Sequence, residues 1–231
     1  MKPFVFAALT AVGLSIASIA PLKAQPMPER LRGTVTDISA QSLVIHTRDN
    51  RDLTITLDDQ THYAAVVKSS LDNVAEGSYI GTATKETGSR LIALEITVFP
   101  PEMRGLGEGH YPWDKISDTT LANGTATSSA MTNGNVSTVT KASETEVKSA
   151  MTNGNVATST SKGGVTTLKV TYKGGEQTVL VPPTAPVVAI APGTKDDVEK
   201  GAGVFVVAIV DGDKAIAKQV AVGKDGVVPP M

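Results

Sequence analysis

Apolar and polar residues alternate in short runs between Ser42 and Phe99, and turn-forming residues separate the runs. Leu43 and Ile45 share one face of Ser42 to His46, and Leu53, Ile55 and Leu57 share one face of the next run. A two-residue period of this kind predicts half-buried strands. Arg48-Asp49-Asn50-Arg51 between them has hairpin turn chemistry. Thr61 to Val67 predicts a further strand, Ser69 to Gly77 is polar and long enough for one helical turn, and Tyr79 to Thr84 and Leu91 to Phe99 complete the set. About five short strands with a brief helix or turn between the third and fourth fit a five-stranded Greek-key barrel of the OB type. A plain β-sandwich or meander is the alternative, because alternation does not specify strand order.

The same pattern returns later in the chain. With Gly77 placed on Gly201, Thr54, Ala65, Asp72, Val74, Gly88, Ile92 and Ala93 fall on Thr178, Ala189, Asp196, Val198, Gly212, Ile216 and Ala217, and the register holds without a gap from about Thr47 to Val98. Chemical roles match as well: Leu53-Thr-Ile-Thr-Leu57 faces Gln177-Thr-Val-Leu-Val181, and the turn at Thr87-Gly88 faces Asp211-Gly212. A repeat of this length predicts two related domains. Residues 28–100 are expected to form the first and 153–231 the second.

Between them the composition changes. From Ser117 to about Gly164 the chain is rich in Ser, Thr, Asn, Gly and Ala, and Ser-Ala-Met-Thr-Asn-Gly-Asn-Val occurs at 129–136 and again at 149–156. Such a stretch reads as a linker, assigned to 117–152. The spacing of Val136, Val139 and Val147 leaves open a strand in one copy. The favoured start of the second domain is near Asn153, where Gly154-Asn155-Val156 would stand for Gly33-Thr34-Val35. The expected fold is therefore all-β, two tandem OB-like barrels joined by this linker.

The N-terminus adds a location. Met1-Lys2, an uncharged and mainly apolar run from Phe4 to Ala20, and Pro21-Leu22-Lys23-Ala24 read as a secretory signal peptide over residues 1–24, cut after Ala24. A membrane anchor is the rival reading. No later run approaches the apolar length of a membrane span, so a periplasmic protein is expected. The 21 basic and 23 acidic side chains lose Lys2 and Lys23 with the leader, which leaves an acidic excess of about four. Bulk charge of that sign does not attract nucleic acid or anionic lipid. The absence of cysteine removes disulfides, thiolate metal sites and thiol catalysis.

One segment stands outside the repeat. Met103-Arg104-Gly105-Leu106-Gly107-Glu108-Gly109-His110-Tyr111-Pro112-Trp113-Asp114 holds the only Trp, and the second half ends on Val227-Val-Pro-Pro-Met231 without a counterpart. Within the loop assigned to 101–116, Trp113 and Tyr111 could simply plug a barrel mouth. Loops also carry function disproportionately, which makes Arg104, Glu108, His110, Tyr111, Trp113 and Asp114 candidates for binding a small ligand or a periplasmic protein. A third reading places copper or zinc on Met103, Glu108, His110 and Asp114, although one imidazole is a thin ligand set. The alternating glycines do not form a dinucleotide fingerprint, because the surroundings are β and Pro112 blocks a helix. No nucleophile elbow or His-Glu-x-x-His helix exists. Asp58-Asp59 reads as a turn and Asp211-Gly212-Asp213 as a hairpin rather than a calcium loop. No enzyme activity is expected, and no cofactor beyond the copper or zinc alternative. A stacking groove for single-stranded nucleic acid would need aromatics and basic residues the chain lacks.

Gly77-Ser-Tyr-Ile, Leu91-Ile-Ala-Leu-Glu-Ile and the string from Gly105 to Asp114 resemble uncharacterised exported bacterial proteins that carry an OB-like domain of unknown function in tandem copies. The second half is similar at Val170 to Pro183 and at Gly223 to Met231. The resemblance implies fold and location and carries no activity. The functional expectation is a non-enzymatic binding or assembly module.

Overall fold

The computed structural model describes residues 28–141, 164–212 and 214–229. The expected signal peptide, the second octapeptide copy and the strand start near Asn153 lie outside the described residues. What is described is all-β, with three single-turn 3-10 segments and no helix long and apolar enough to cross a membrane. The strands are β1 (Pro28–Ile38), β2 (Ser42–Thr47), β3 (Asp52–Thr56), β4 (His62–Lys68), β5 (Tyr79–Thr87), β6 (Arg90–Phe99), β7 (Gly109–Pro112), β8 (Ile116–Ser117), β9 (Ala126–Thr127), β10 (Ala130–Lys141), β11 (Thr166–Tyr172), β12 (Gly175–Val181), β13 (Val187–Pro192), β14 (Gly203–Asp211) and β15 (Lys214–Gly223). All but β8 and β9 belong to one mixed sheet. β2 to β6 fall where alternation places them, and the expected helical turn is the 3-10 segment Leu71–Asn73, capped by the Ser70 side chain.

Pairing closes the sheet on itself twice. β1, β2, β3, β15 and β14 form one circuit, closed by the parallel pair β3–β15 and the antiparallel pair β1–β14. β10, β11, β12, β6 and β5 form the other, closed by β12–β6 and β10–β5. The contacts recur at the same 124-residue offset. Ile55 pairs with Ala215 as Val179 pairs with Leu91, and the bulge between Ala83 and Thr84 returns between Val207 and Ala208. β4 and β13 pair with each other, and Val66 lies opposite Ile190, its own equivalent in the repeat.

This corrects the expectation of one barrel per half. Each circuit takes its first three strands from one half and its last two from the other. The physical reason lies in β4 and β13. Ala64-Ala65-Val66-Val67 contains no turn residue, and Ala64, Ala65, Val66, Val188 and Ile190 are buried. The extended chain stays straight, pairs with its counterpart and delivers β5 and β14 to the opposite circuit. Each circuit encloses its own apolar cluster, one around Leu43, Ile45, Ile55 and Val206, the other around Ile80, Ile96, Leu168 and Val179. A third cluster, with Val66, Tyr79, Phe99, Ile190 and Phe205, joins them.

The linker expectation is also corrected over 117–141. β8, β9 and β10 lie there, and the first octapeptide copy runs into β10, which opens the second circuit as β1 opens the first. Thr132 and Asn133 are polar yet buried, because β5 flanks them on one side and β7 on the other.

Candidate functional site

The segment outside the repeat is built into the molecule. Its last part, β7, adds to the edge of β10, with Tyr111 opposite Met131 and Gly109 opposite Asn133. His110 Nδ1 lies 2.8 Å from Thr132 Oγ1. Trp113 and Tyr111 pack edge to face at 5.9 Å over a cluster of Ala83, Leu94, Ile116 and Met131. The Arg30 guanidinium covers the Trp113 ring at 4.1 Å. Asp114 receives hydrogen bonds from Arg30 at 3.1 Å and Arg32 at 2.8 Å. Burial alone would raise the Asp114 pKa, but the hydrogen bonds and charges of the two arginines outweigh it and hold the carboxyl below its ordinary range.

The first part of the segment fills the mouth of the second circuit. Arg104 donates to the Gly77 carbonyl at 2.8 Å and to Asn135 Oδ1. The Lys173 backbone N–H donates to the Glu108 carboxylate at 3.1 Å. The Tyr79 hydroxyl donates to the Leu106 carbonyl at 2.9 Å, and burial raises its pKa to about 12. Met103 packs beside Tyr79 and Phe99.

All six candidate binding residues are thus engaged within the chain; the mouth is crossed by Arg104 to Glu108, whereas Trp113 and Tyr111 pack over the Ala83 cluster instead of plugging it. The four metal candidates are not brought together: Met103 is in an apolar cluster, Glu108 meets Lys173, His110 meets Thr132 and Asp114 meets two arginines. Among the described residues no group of three or more His, Cys, Asp or Glu assembles.

Among the described residues nothing fills the equivalent mouth of the first circuit in this way. There a cleft of about 730 Å³ is lined by Thr34, His46, Arg48, Glu199, Gly201 and Val228, among others. At the 124-residue offset Gly203 replaces Tyr79 and Gly223 replaces Phe99, and the chain from Val227 to Pro229 lies against these glycines where side chains would stand. Val227 takes the place of Met103, and Val227 N–H donates to Lys224 O as Met103 N–H donates to Pro100 O. Pro229 then lies over Gly203 and Gly223 as a floor. Arg48 and Lys200 set basic groups in the cleft against Glu199 and Asp225. His46 is exposed at its rim, and a hydrogen bond with Asp52 at 2.8 Å raises its pKa.

Motif reading overlooked this cleft, since it concentrates on unusual residues, whereas the lining is made of ordinary strand-end and turn residues such as Thr34, Arg48 and Gly201. It also overlooked Arg30 and Arg32, which hold Trp113 and Asp114. No family model, curated protein or solved structure matches the chain.

Proposed function

We propose that the chain is an exported, non-enzymatic binding module made of two OB-type barrels with exchanged strands, and that its ligand site is the open mouth of the first barrel. The circuit order, in which the third strand meets the last in parallel and the first meets the fourth antiparallel, supports the OB reading. The observation that carries the site is the contrast between equivalent mouths, one filled by Met103 to Glu108 and the other a cleft of about 730 Å³. A concave site with a few converging polar groups is where a ligand is expected. This reading moves the binding role from the Gly105 to Asp114 string to Thr34, His46, Arg48, Glu199 and Gly201.

Amide chemical-shift mapping tests it on the mature chain, isolated from the exported fraction with Gln25 as its first residue. A library of small fragments and short peptides is titrated in. Saturable perturbations are expected to cluster on His46, Arg48, Gly201 and Val228. Perturbations centred on His110 to Trp113 would return the site to the segment outside the repeat.

A further inference from the structure

We infer that the first-circuit mouth receives an extended polypeptide from a partner protein, which enters as an added β-strand in the manner of the chain's own residues 103–112. The inference rests on the binding reading above and names its ligand class. It comes from following the occupant of the second circuit along its length. Arg104 to Glu108 crosses the mouth, anchored at the Gly77 carbonyl, Asn135 and the Lys173 N–H. The chain then continues as β7 and pairs antiparallel with β10 from Asn133 to Ala130. One segment therefore uses a mouth and the adjoining strand edge as a continuous track.

The first circuit carries a related track, crossed at one point by a backbone hydrogen bond that an entering strand would replace. Gly201 stands for Gly77 and Thr34 for Asn135, and both line the cleft. The β2–β3 turn is one residue longer than the β11–β12 turn, so Arg48 stands for Lys173, and its N–H donates to the Arg32 carbonyl at 3.1 Å where the Lys173 N–H meets Glu108. The stretch of β1 equivalent to the β7-binding edge is Glu29 to Arg32. It pairs with β14 on one side; on the other, the ladder with β2 begins at Gly33 and the Arg48 N–H already donates to the Arg32 carbonyl, which leaves Glu29 to Leu31 as the edge. Among the described residues no strand lies along the other side of Glu29 to Leu31. Strand addition to such an edge derives affinity from main-chain hydrogen bonds and specificity from neighbouring pockets.

The lining narrows the sequence accepted. Glu199 stands where the filled mouth has Ala75, so a carboxylate joins the Gly201 carbonyl at the position equivalent to the Arg104 anchor. Arg48 brings positive charge to the side where Glu108 is held, while Lys200 sits beside Glu199 at the Arg104 end. The ligand is thus an extended segment with a basic side chain followed about four residues later by an acidic one, and with small residues between them that let the backbone lie close.

The probe is a labelled synthetic peptide, Met-Arg-Gly-Leu-Gly-Glu-Gly-His-Tyr-Pro, titrated into the full mature chain with anisotropy as the readout. Saturable one-to-one binding is expected. Glu199→Lys, an exposed change, is expected to weaken it at least tenfold while leaving the melting temperature unchanged. Methylation of the peptide's His and Tyr backbone nitrogens is expected to weaken it at least tenfold by removing strand hydrogen bonds. Absence of saturable binding, or affinity indifferent to both changes, overturns the inference. Fragments that perturb the cleft while the peptide does not bind would leave the binding reading standing and remove only the strand.

Discussion

Asp114 shows how a side chain from the segment outside the repeat is tied to the first circuit. Arg32 is largely buried, with its side chain 10% exposed, and Asp114 is about one-third exposed at 32%. Replacing the carboxylate with a neutral amide leaves a buried guanidinium with a weaker partner. Asp114→Asn is expected to cost about 1–2 kcal/mol at neutral pH, toward the low end because solvent reaches the pair. The pH dependence follows from the depressed pKa. A carboxyl more acidic folded than unfolded stabilises the fold above its unfolded pKa of about 3.9, and that contribution disappears as pH falls through the lower folded value. Urea denaturation, followed by fluorescence of the sole tryptophan, should show a gap between wild type and variant at pH 7 that narrows below pH 4. A gap of equal size at pH 3 would show that the arginines stabilise Asp114 by shape rather than charge. At this scale the sequence exposed the unusual residues Trp113, His110 and Asp114 but not their partners, because Arg30 and Arg32 come from a strand more than 80 residues away.

At the scale of elements, legibility depended on whether burial followed apolar character. β2, β3, β5 and β6 present Leu43, Ile45, Ile55, Ile80 and Ile96 inward and were readable from alternation. β10 was not, since its buried residues include Thr132, Asn133 and Gly134, and Ser, Thr, Asn and Gly together resemble a linker. Gly134 identifies the strand by a different physical route. A Cβ there would lie 2.3 Å from the Thr171 carbonyl oxygen, as one on Gly33 would lie 2.4 Å from that of His46. Both glycines precede a bulge, between Val136 and Thr138 in one strand and between Val35 and Asp37 in the other, and both let neighbouring backbones approach. Gly134→Ala forces β10 away from β11 and is expected to destabilise the chain by more than about 2 kcal/mol. Gly88→Ala, at a turn glycine with φ +61° and open space around it, is expected to cost only about 1 kcal/mol. Equal losses from the two in thermal melts would show that β10 yields at no cost and that the close approach does not constrain it.

For the whole molecule, the exchange of strands is expected to make the two halves unfold as one. Alternation could not reveal this, because a strand's period says which face is buried and nothing about which strand lies beside it. Ala64 to Val67 would read identically whether the chain turned back to its own half or crossed to the other. Neither circuit is complete without both halves: β11 and β12 need β6 and β10, while β14 and β15 need β1, β3 and β4. A protease site placed within 142–163 divides the chain between β10 and β11 and therefore cuts across both circuits. The fragments are expected to remain associated on native size exclusion and to separate only in denaturant, and the uncut chain should unfold in a single transition by both tryptophan fluorescence and circular dichroism. Trp113 packs against the second circuit and is bound by arginines of the first, so its signal reports on both. Fragments that part under native conditions, or a tryptophan transition that precedes loss of strand signal, would mean that the β4–β13 crossing does not couple the circuits and that each half closes alone.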